Sequence, residues 1–486
     1  MHQHTPRRLR RLVTATTLAL ATLGAASTLA GTASADATSD YDRGYALGLE
    51  AYKYGLPLLE VDKTQRLQTS VDISNGHGYG PENQFNAFRD FSDPADHWVV
   101  SPNLDTLYAT AWLDLSDGPI VITIPKVKGD RYWSLQMLDP YTETFGNPGS
   151  VQGTEPGAYA LVGPGDAATV LPKKVTRIRS AYDRVLIIER IYADNGDPKD
   201  IEKVRDLQDK FTMVPLSAYP RKNWQPPVPA DPDTTIDQQS LPTGMAYFDR
   251  LGELLAEFPP PAADQAEIDR IGAIGVGPGR TPSTDPTLSP ETVAGMTAAV
   301  ADARGRIAAD TQALHATSFP THNGYLTLAA GTYGTNYQLR AMVAQIGLGA
   351  QTPDQAIYSL GFADRLGAPL SGNKRYVIHL PAGWAPPVDA FWSVTMYDAA
   401  QYLVENEIDR YVINDRSDLQ RNADGSIDLY VQSTPPSDPA QAQNWLPAPA
   451  GSSFRLGWRL YAPTPDRIAG IVDGTGWNPP AIMPAS

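Results

Sequence analysis

The chain predicts an α+β fold that is mainly β: two antiparallel β-sandwich or jelly-roll-like modules related by internal duplication, with a helical region between them. Three observations predict it. The stretch Tyr132-Trp133-Ser134-Leu135-Gln136-Met137-Leu138-Asp139 returns as Phe391-Trp392-Ser393-Val394-Thr395-Met396-Tyr397-Asp398, and each copy follows an apolar run that ends in proline, at 120–125 and 376–381. Each half then closes on a shared Arg-x-Tyr signature, Glu189-Arg190-Ile191-Tyr192 and Trp458-Arg459-Leu460-Tyr461. Finally, short strand-like runs recur at regular spacing without helices between them, whereas the middle of the chain carries helical periodicity.

Taken in order, the first element is a targeting segment. Arg7, Arg8, Arg10 and Arg11 precede an uncharged run from 12 to 35 that ends in Ala33-Ser34-Ala35, a small-x-small cleavage signature. Residues 1–35 therefore read as a secretory signal peptide, and the paired arginines also admit a twin-arginine route. The expected location is secreted or extracytoplasmic. Cleavage would leave 35 basic against 54 acidic residues, a net charge of −19. Such an acidic surface repels phosphate backbones, so nucleic acid is not an expected partner. There is no cysteine, which excludes disulfides and thiolate metal sites. After the signal no run reaches the roughly 20 apolar residues of a spanning helix, so no membrane partner is expected of the mature chain.

Residues 36–230 read as an N-terminal helix plus the first β module. Tyr41, Tyr45, Leu49, Tyr52 and Leu56 recur at helical spacing, with Pro57 expected to break or kink the helix beyond it. Residues 75–96 are rich in Gly, Asn, Pro and Asp and have no period; a loop that long inside a compact domain is often functional. Strands are expected at 97–100, 107–115, 119–124, 133–138, 158–162, 176–179 and 185–192, then a helix at 198–210 and a proline-rich connector at 220–233. Residues 231–373 read as a helical linking region, with helices at 245–258, 263–271, 289–315, 333–346 and from 352 to about 358. Residues 374–486 form the second β module, with strands at 376–380, 391–397, 427–432 and 454–461 and an extended tail at 477–480.

With these residues identified, the chain resembles a bacterial two-domain family whose halves are known only as domains of unknown function, twelve fifty-four at the N-terminal side and twelve fourteen at the C-terminal side. The first half is similar through Ser101-Pro102-Asn103-Leu104-Asp105-Thr106-Leu107-Tyr108, Asp130-Arg131-Tyr132-Trp133-Ser134, Gly163-Pro164-Gly165 and Pro215-Leu216-Ser217. The second is similar through 391–398, Asp409-Arg410-Tyr411, Asp424-Gly425-Ser426, 444–449 and Trp477-Asn478-Pro479-Pro480. The resemblance implies sandwich or jelly-roll-like domains with a helical part between them, and implies no particular reaction.

Candidate site residues come from the polar positions. Asp105 is a candidate general base or carboxylate ligand, with Asn103 orienting a hydroxyl or carbonyl and Tyr108 in support; the competing reading is that Asn103 and Asp105 cap a turn. Arg131 suits bidentate recognition of a carboxylate or phosphate, or an ion pair closing a hairpin. Asp105, Asp139, Glu143 and Asp398 are the carboxylates available for acid–base work on a glycan. Tyr132 and Trp133 offer a stacking surface or core, and His97, near one end of the long loop, joins Glu143 as a substrate-binding candidate. Arg190 and Arg459, kept in both copies, read as features of the fold. The histidines left after cleavage (His77, His97, His315, His322, His379) include no closely spaced pair, so no metal is expected; no phosphate loop or nucleophile elbow appears, and no cofactor is expected. Two readings of different class stay open. One is a cofactor-independent hydrolase or lyase on a small polar or glycan-like substrate; the other is a non-catalytic carbohydrate or small-molecule binding protein, and a homo-oligomer is compatible with either. The catalytic reading places function in what is not repeated, the long loop, the 103–108 cluster and Arg131, whereas the binding reading has both aromatic-rich modules present ligand surfaces.

Overall fold

The structure, a computed structural model, describes residues 26–97, 100–221, 224, 230–237, 239–318 and 321–485, with the side chains of 26–37 and 318 outside that description. The arginine cluster and most of the uncharged run of the signal segment, Trp98 and Val99 of the expected strand at 97–100, and much of the 220–233 connector lie outside the described residues.

Helix α1 (Ala26–Gln68) begins within the segment read as a signal and continues through Pro57 rather than ending there. The missing N–H at Pro57 costs one intrahelical bond, but Leu56, Leu58 and Leu59 around it are buried in the helical core, whose packing holds the helix together. The first module then runs through β1 (Asn86–Ala87), β2 (Thr106–Asp114), β3 (Ile120–Ile124), β4 (Trp133–Leu138), β5 (Thr144–Gly146), β6 (Gly157–Val162), β7 (Val175–Arg179) and β8 (Arg184–Tyr192). Helix α2 (Pro198–Gln208) follows, started by Pro198 and by the Asp197 carboxylate accepting from Lys199 N, and β9 (Thr212–Pro215) completes the module. Helices α3 (Met245–Glu257), α4 (Gln265–Gly272) and α5 (Pro290–Ser318) form a helical layer with α1. The second module comprises β10 (Tyr325–Leu328), α6 (Tyr337–Ile346), β11 (Ala356–Gly361), β12 (Arg375–Leu380), β13 (Val388–Asp398), β14 (Val412–Asn414), β15 (Ile427–Gln432), α7 (Pro439–Gln443), β16 (Trp445–Pro447), β17 (Phe454–Pro463), α8 (Ile468–Val472) and β18 (Ile482–Ala485).

The duplication is complete at the level of topology. The first module stacks a sheet of order β1-β2-β8-β4-β5 on one of order β7-β6-β3-β9; the second stacks β10-β11-β17-β13-β14 on β16-β15-β12-β18. Adding nine to every strand number of the first module gives the second. The sense of pairing is also kept: β6 and β7 are parallel, as are β15 and β16, within otherwise antiparallel sheets. Each sandwich has its own core, built from alternate residues of both its sheets: Ile122, Leu135, Ile187 and Ile191 in the first, Ile378, Val394, Leu456 and Leu460 in the second.

Two strands expected as part of the helical region 231–373 belong instead to the second module, which takes in residues from 325. Thr352-Pro353-Asp354-Gln355 carries a helix-start signature, but it makes only a turn, with Gln355 N and Ala356 N both donating to Thr352 O. The next residues alternate in burial and pair with β17, so sheet pairing overrides the local signal.

The modules meet as two copies of a dimer would. Tyr132 and Phe391 hold equivalent places, as do Tyr192 and Tyr461. Tyr132 packs edge-on to Tyr461 at 5.3 Å between ring centroids, and Phe391 packs tilted on Tyr192 at 4.8 Å. That exchange is the mark of an isologous interface. Across the helical layer α1 and α5 approach closely: a Cβ on Gly44 would lie 2.3 Å from Thr292 O, and one on Gly295 would lie 2.2 Å from Tyr41 O. Among the described residues no helix is long and apolar enough to cross a membrane.

One core residue breaks the pattern. Glu189 on β8 is fully buried on the sandwich side of its strand, between Ile187 and Ile191, and among the described residues neither of its carboxylate oxygens has a hydrogen-bond partner. Its counterpart in the second module is Trp458, which fills that core. Burial raises the Glu189 pKa to about 8, against a lesser opposing pull from Arg89. The unfolded chain holds this carboxyl near 4.5, so below that pH its ionisation makes no difference to stability. Between there and about pH 8 the unfolded state releases a proton that the folded state keeps, and stability falls by an amount on the order of a few kcal/mol. Glu189→Leu should remove this loss: the variant should melt above the unmodified protein at pH 8 and close to it near pH 4.5 when the two are compared by calorimetry. A variant that melts lower at both pH values would refute the assignment.

Candidate functional site: a cavity between the modules

A cavity of about 490 Å³ lies where the five-stranded sheets of the two modules meet α1, α6 and the loop at 75–96. A second recess, of about 270 Å³, lies beside α1 and α3, but its charges satisfy one another: Arg250 with Asp62, and Arg184 with Glu82 and Glu257. The larger cavity differs in kind. Much of its wall is apolar, from Leu186, Ile188, Val343, Leu348 and Leu360, and into this wall are set two buried guanidiniums, Arg190 and Arg459, each only 5–6 % exposed.

The duplication puts these arginines there. On β8, Arg190 stands opposite Tyr108 of β2 and Ser134 of β4; on β17, Arg459 stands opposite Tyr358 of β11 and Ser393 of β13. Strand alternation aims Glu189 and Trp458 into the sandwich interiors and their neighbours Arg190 and Arg459 outward, into the shared space. The hydrogen bonds correspond as well. Arg190 Nη1 donates to Gln136 Oε1 at 2.8 Å, and Arg459 Nη1 donates to Thr395 Oγ1 at 3.1 Å, from equivalent positions of β4 and β13. The other terminal nitrogens cross over. Arg190 Nη2 donates to Gly349 O at 2.7 Å in the loop that leads into β11, and Arg459 Nη2 donates to Ser101 O at 2.7 Å in the loop that leads into β2. Gly349 has φ +79, and a Cβ there would lie 2.4 Å from Ile188 Cδ1, so glycine is what lets this carbonyl reach Arg190.

Neither guanidinium forms an ion pair among the described residues. Burial works against their charge; opposing it are the surrounding tyrosine oxygens, Tyr108 first for Arg190 and Tyr397 first for Arg459, and for Arg459 the Asp105 carboxylate as well. Arg190 lies over the Tyr108 ring at 5.2 Å and Arg459 over the Tyr397 ring at 5.6 Å. Tyr108 responds in turn. Burial alone would make its phenol a weaker acid, yet Arg190 and Arg459, with an N–H from Asn103, hold its pKa below the usual tyrosine value. Asn103 Nδ2 donates to Tyr108 Oη at 3.1 Å and also to Tyr461 Oη.

Of the residues singled out in the sequence, Asn103 and Tyr108 line the cavity. Asp105 does not. It is fully buried in the contact between modules, where Oδ2 accepts from Ser393 Oγ at 2.5 Å, Oδ1 pairs with Arg416 at 3.2 Å, and its backbone N–H donates to Asn103 Oδ1. Arg131 also lies elsewhere: it grips both oxygens of Asp200 at 2.6 and 3.0 Å and donates to Tyr192 O, tying the end of β8 to α2. Asn103, Asp105 and Arg131 therefore do not share a pocket. Tyr132 is buried in the contact between modules, and Trp133 lies in the first sandwich core against Phe211. His97 is exposed and stacks on Tyr402 at 4.1 Å. Glu143 accepts from Tyr333 N, Gly334 N and Arg340, which latches the β4–β5 hairpin to the segment before α6. The repeated Asp139 and Asp398 close the same turn in both modules, accepting from Glu143 N and Tyr402 N; burial raises Asp139 to about 7. The long loop does border the cavity, through Tyr79, Phe88, Phe91 and Ser92. Arg190, Arg459, Tyr358 and Tyr397 were missed as site residues. The repeat of Arg-x-Tyr was their signal, and it reads as a feature of the fold until the two copies are seen to face each other.

The family described as "Protein of unknown function (DUF1254)" matches residues 82–215, and that described as "Protein of unknown function (DUF1214)" matches residues 355–465. A solved structure of the VPA0106 protein from Vibrio parahaemolyticus shares the fold, with TM-score 0.62, 23% identity, and coverage of 91% of this chain and 100% of that one. A structure of an uncharacterised protein from Burkholderia cenocepacia is more distant, with TM-score 0.42, 14% identity, and coverage of 95% and 98%. No curated protein matches the chain. The N-terminal and C-terminal matches correspond to the two modules in order, and the chain belongs to this two-domain family of unknown function.

Proposed function

We propose that the protein binds a small organic anion with an apolar body in the cavity between its modules. A single observation carries this reading: two buried guanidiniums in a largely apolar wall, with no carboxylate paired to either among the described residues. A buried cation without a counter-charge is costly, and a ligand carboxylate would relieve that cost while its apolar part covered Ile188, Leu348 and Val343. The geometry supports the binding reading over a glycan hydrolase. The carboxylates that border the cavity, Glu60 and Asp90, are tied to Lys63, Arg304 and Arg205, and Asp105 is not in the wall. The enzymatic reading keeps one foothold: Tyr108, a phenol of lowered pKa beside two arginines, could give its proton to a bound substrate, or take one from it once ionised to the phenolate.

Benzoate and the uncharged benzyl alcohol serve as matched probes. At about 100-fold above its dissociation constant, benzoate should stabilise the protein by roughly 2.7 kcal/mol, read as a rise in melting temperature, with no comparable rise from the alcohol. Arg459→Gln should lose the rise. Equal shifts from the two probes, or none from benzoate, would remove the anion reading. The pH dependence follows from Tyr108, whose phenolate would compete with the ligand for the same guanidiniums. Affinity should be constant while the phenol keeps its proton and should fall as pH rises through an ionisation lying below that of ordinary tyrosine. Isothermal titration across pH should show this fall displaced upward in Tyr108→Phe; an unchanged profile would disconnect Tyr108 from the site.

A further inference from the structure

The anion reading leaves open how many charges the ligand carries, and the duplication bears on that number. We propose that the ligand is a dianion, a linear α,ω-dicarboxylate, with one carboxylate taken by the Arg190 half of the cavity and the other by the Arg459 half; this rests on the anion reading above.

The first argument is equivalence. Each half presents one arginine on its central strand and one tyrosine opposite it, Arg190 with Tyr108 and Arg459 with Tyr358, and each arginine is held by the same pattern of one side-chain oxygen and one loop carbonyl. Two like half-sites facing one shared space are best matched by a ligand with two like ends. The second argument is charge. The one carboxylate whose charge bears on Arg459 among the described residues, Asp105, is paired with Arg416 and accepts from Ser393 instead. A monoanion would neutralise one guanidinium and leave the other buried with hydrogen bonds but no counter-charge, whereas a dianion neutralises both. The third is the remaining wall, whose apolar side chains suit a methylene chain better than a polyol or a second phosphate.

The halves differ in one donor. Asp105 O and Gln355 O accept from the equivalent Ala193 N and Ala462 N, so Pro353 stands where Asn103 stands in the first module. Only one half therefore has the Asn103 amide linking Tyr108 to Tyr461, which allows the two ends of an unsymmetrical diacid to be told apart.

The test uses the purified full chain and two matched series, linear monocarboxylates and linear α,ω-dicarboxylates of increasing length, followed by thermal shift and isothermal titration. At one chain length the diacid should bind roughly 10-fold or more tightly than the monoacid of equal length, as expected for a second charge-assisted contact. In Arg190→Gln and Arg459→Gln, each checked by circular dichroism, diacid affinity should drop to the level of the monoacid on the unmodified protein. If a variant fails to fold, the comparison of the two series on the unmodified protein decides the question alone. Monoacids binding as tightly as diacids at every length would overturn the dianion proposal and leave the anion reading standing. Absence of binding by both series would overturn both.

Discussion

Two crossed hydrogen bonds, from Arg190 to the carbonyl of Gly349 and from Arg459 to the carbonyl of Ser101, are the constraint around which the molecule is arranged. Each runs from the central strand of one module to the loop that leads into the other. The donors are equivalent under the duplication and the acceptors lie in corresponding loops, although Ser101 corresponds to Gln351 rather than to Gly349; together the two bonds tie each module to the other across the space between them. The loops they hold are cavity walls. Ser101 takes φ +51, a strained backbone for a residue with a side chain, and is held from both sides: its carbonyl by Arg459, and its N–H and hydroxyl by Gln401. At Gly349 the same demand for close approach is met by glycine.

Burying two like charges in one apolar space opposes folding. Hydrogen bonds to Gln136, Gly349, Thr395 and Ser101, together with the faces of Tyr108 and Tyr397, reduce that penalty without neutralising either charge. Structural arginines elsewhere in the chain are treated differently. Arg131 has Asp200 and Arg416 has Asp105, so each carries its own counter-ion. Arg410, partly buried and held only by the carbonyls of Gln443 and Trp445, also lacks an ion pair among the described residues; what sets the cavity apart is that two such guanidiniums, nearly fully buried, share one apolar wall. Both cations act together on Tyr108 and on Tyr358, and at Tyr108 they outweigh burial. The duplication accounts for the pair: each copy carries one arginine on the same sheet face, and where the two faces meet the cavity has two.

Much of the fold was legible in the sequence because strand length and alternation are local signals. The repeated Trp-Ser strand, the Arg-x-Tyr strand and the apolar strand before each proline stand where they were expected. Very short strands such as β5, β14 and β16 carry too few residues for a period to show, and β9 contains a proline that hides it. At 352–355 a helix-start signature was locally persuasive, and pairing with β17 decided the matter instead. The site was less legible. Asn103 and Tyr108 were found because they sit in a polar cluster beside a strand, but that cluster divides in space, with Asn103 facing the cavity and Asp105 facing Arg416. Discounting Arg190 and Arg459 because they repeat assumed that two copies of a residue serve two separate places. Here they serve one, and only the arrangement of the modules shows it. That neither has a carboxylate partner among the described residues is likewise a fact of three dimensions, since acidic residues are abundant in the chain.

The central claim is that both guanidiniums face an anion-accessible space. Crystals of the full chain soaked in bromide and examined by anomalous diffraction test it most directly. The account predicts a halide within contact distance of Arg190 or Arg459 inside the cavity, lost in the Arg190→Gln and Arg459→Gln variants in turn. Halides on the surface with none in the cavity would contradict it.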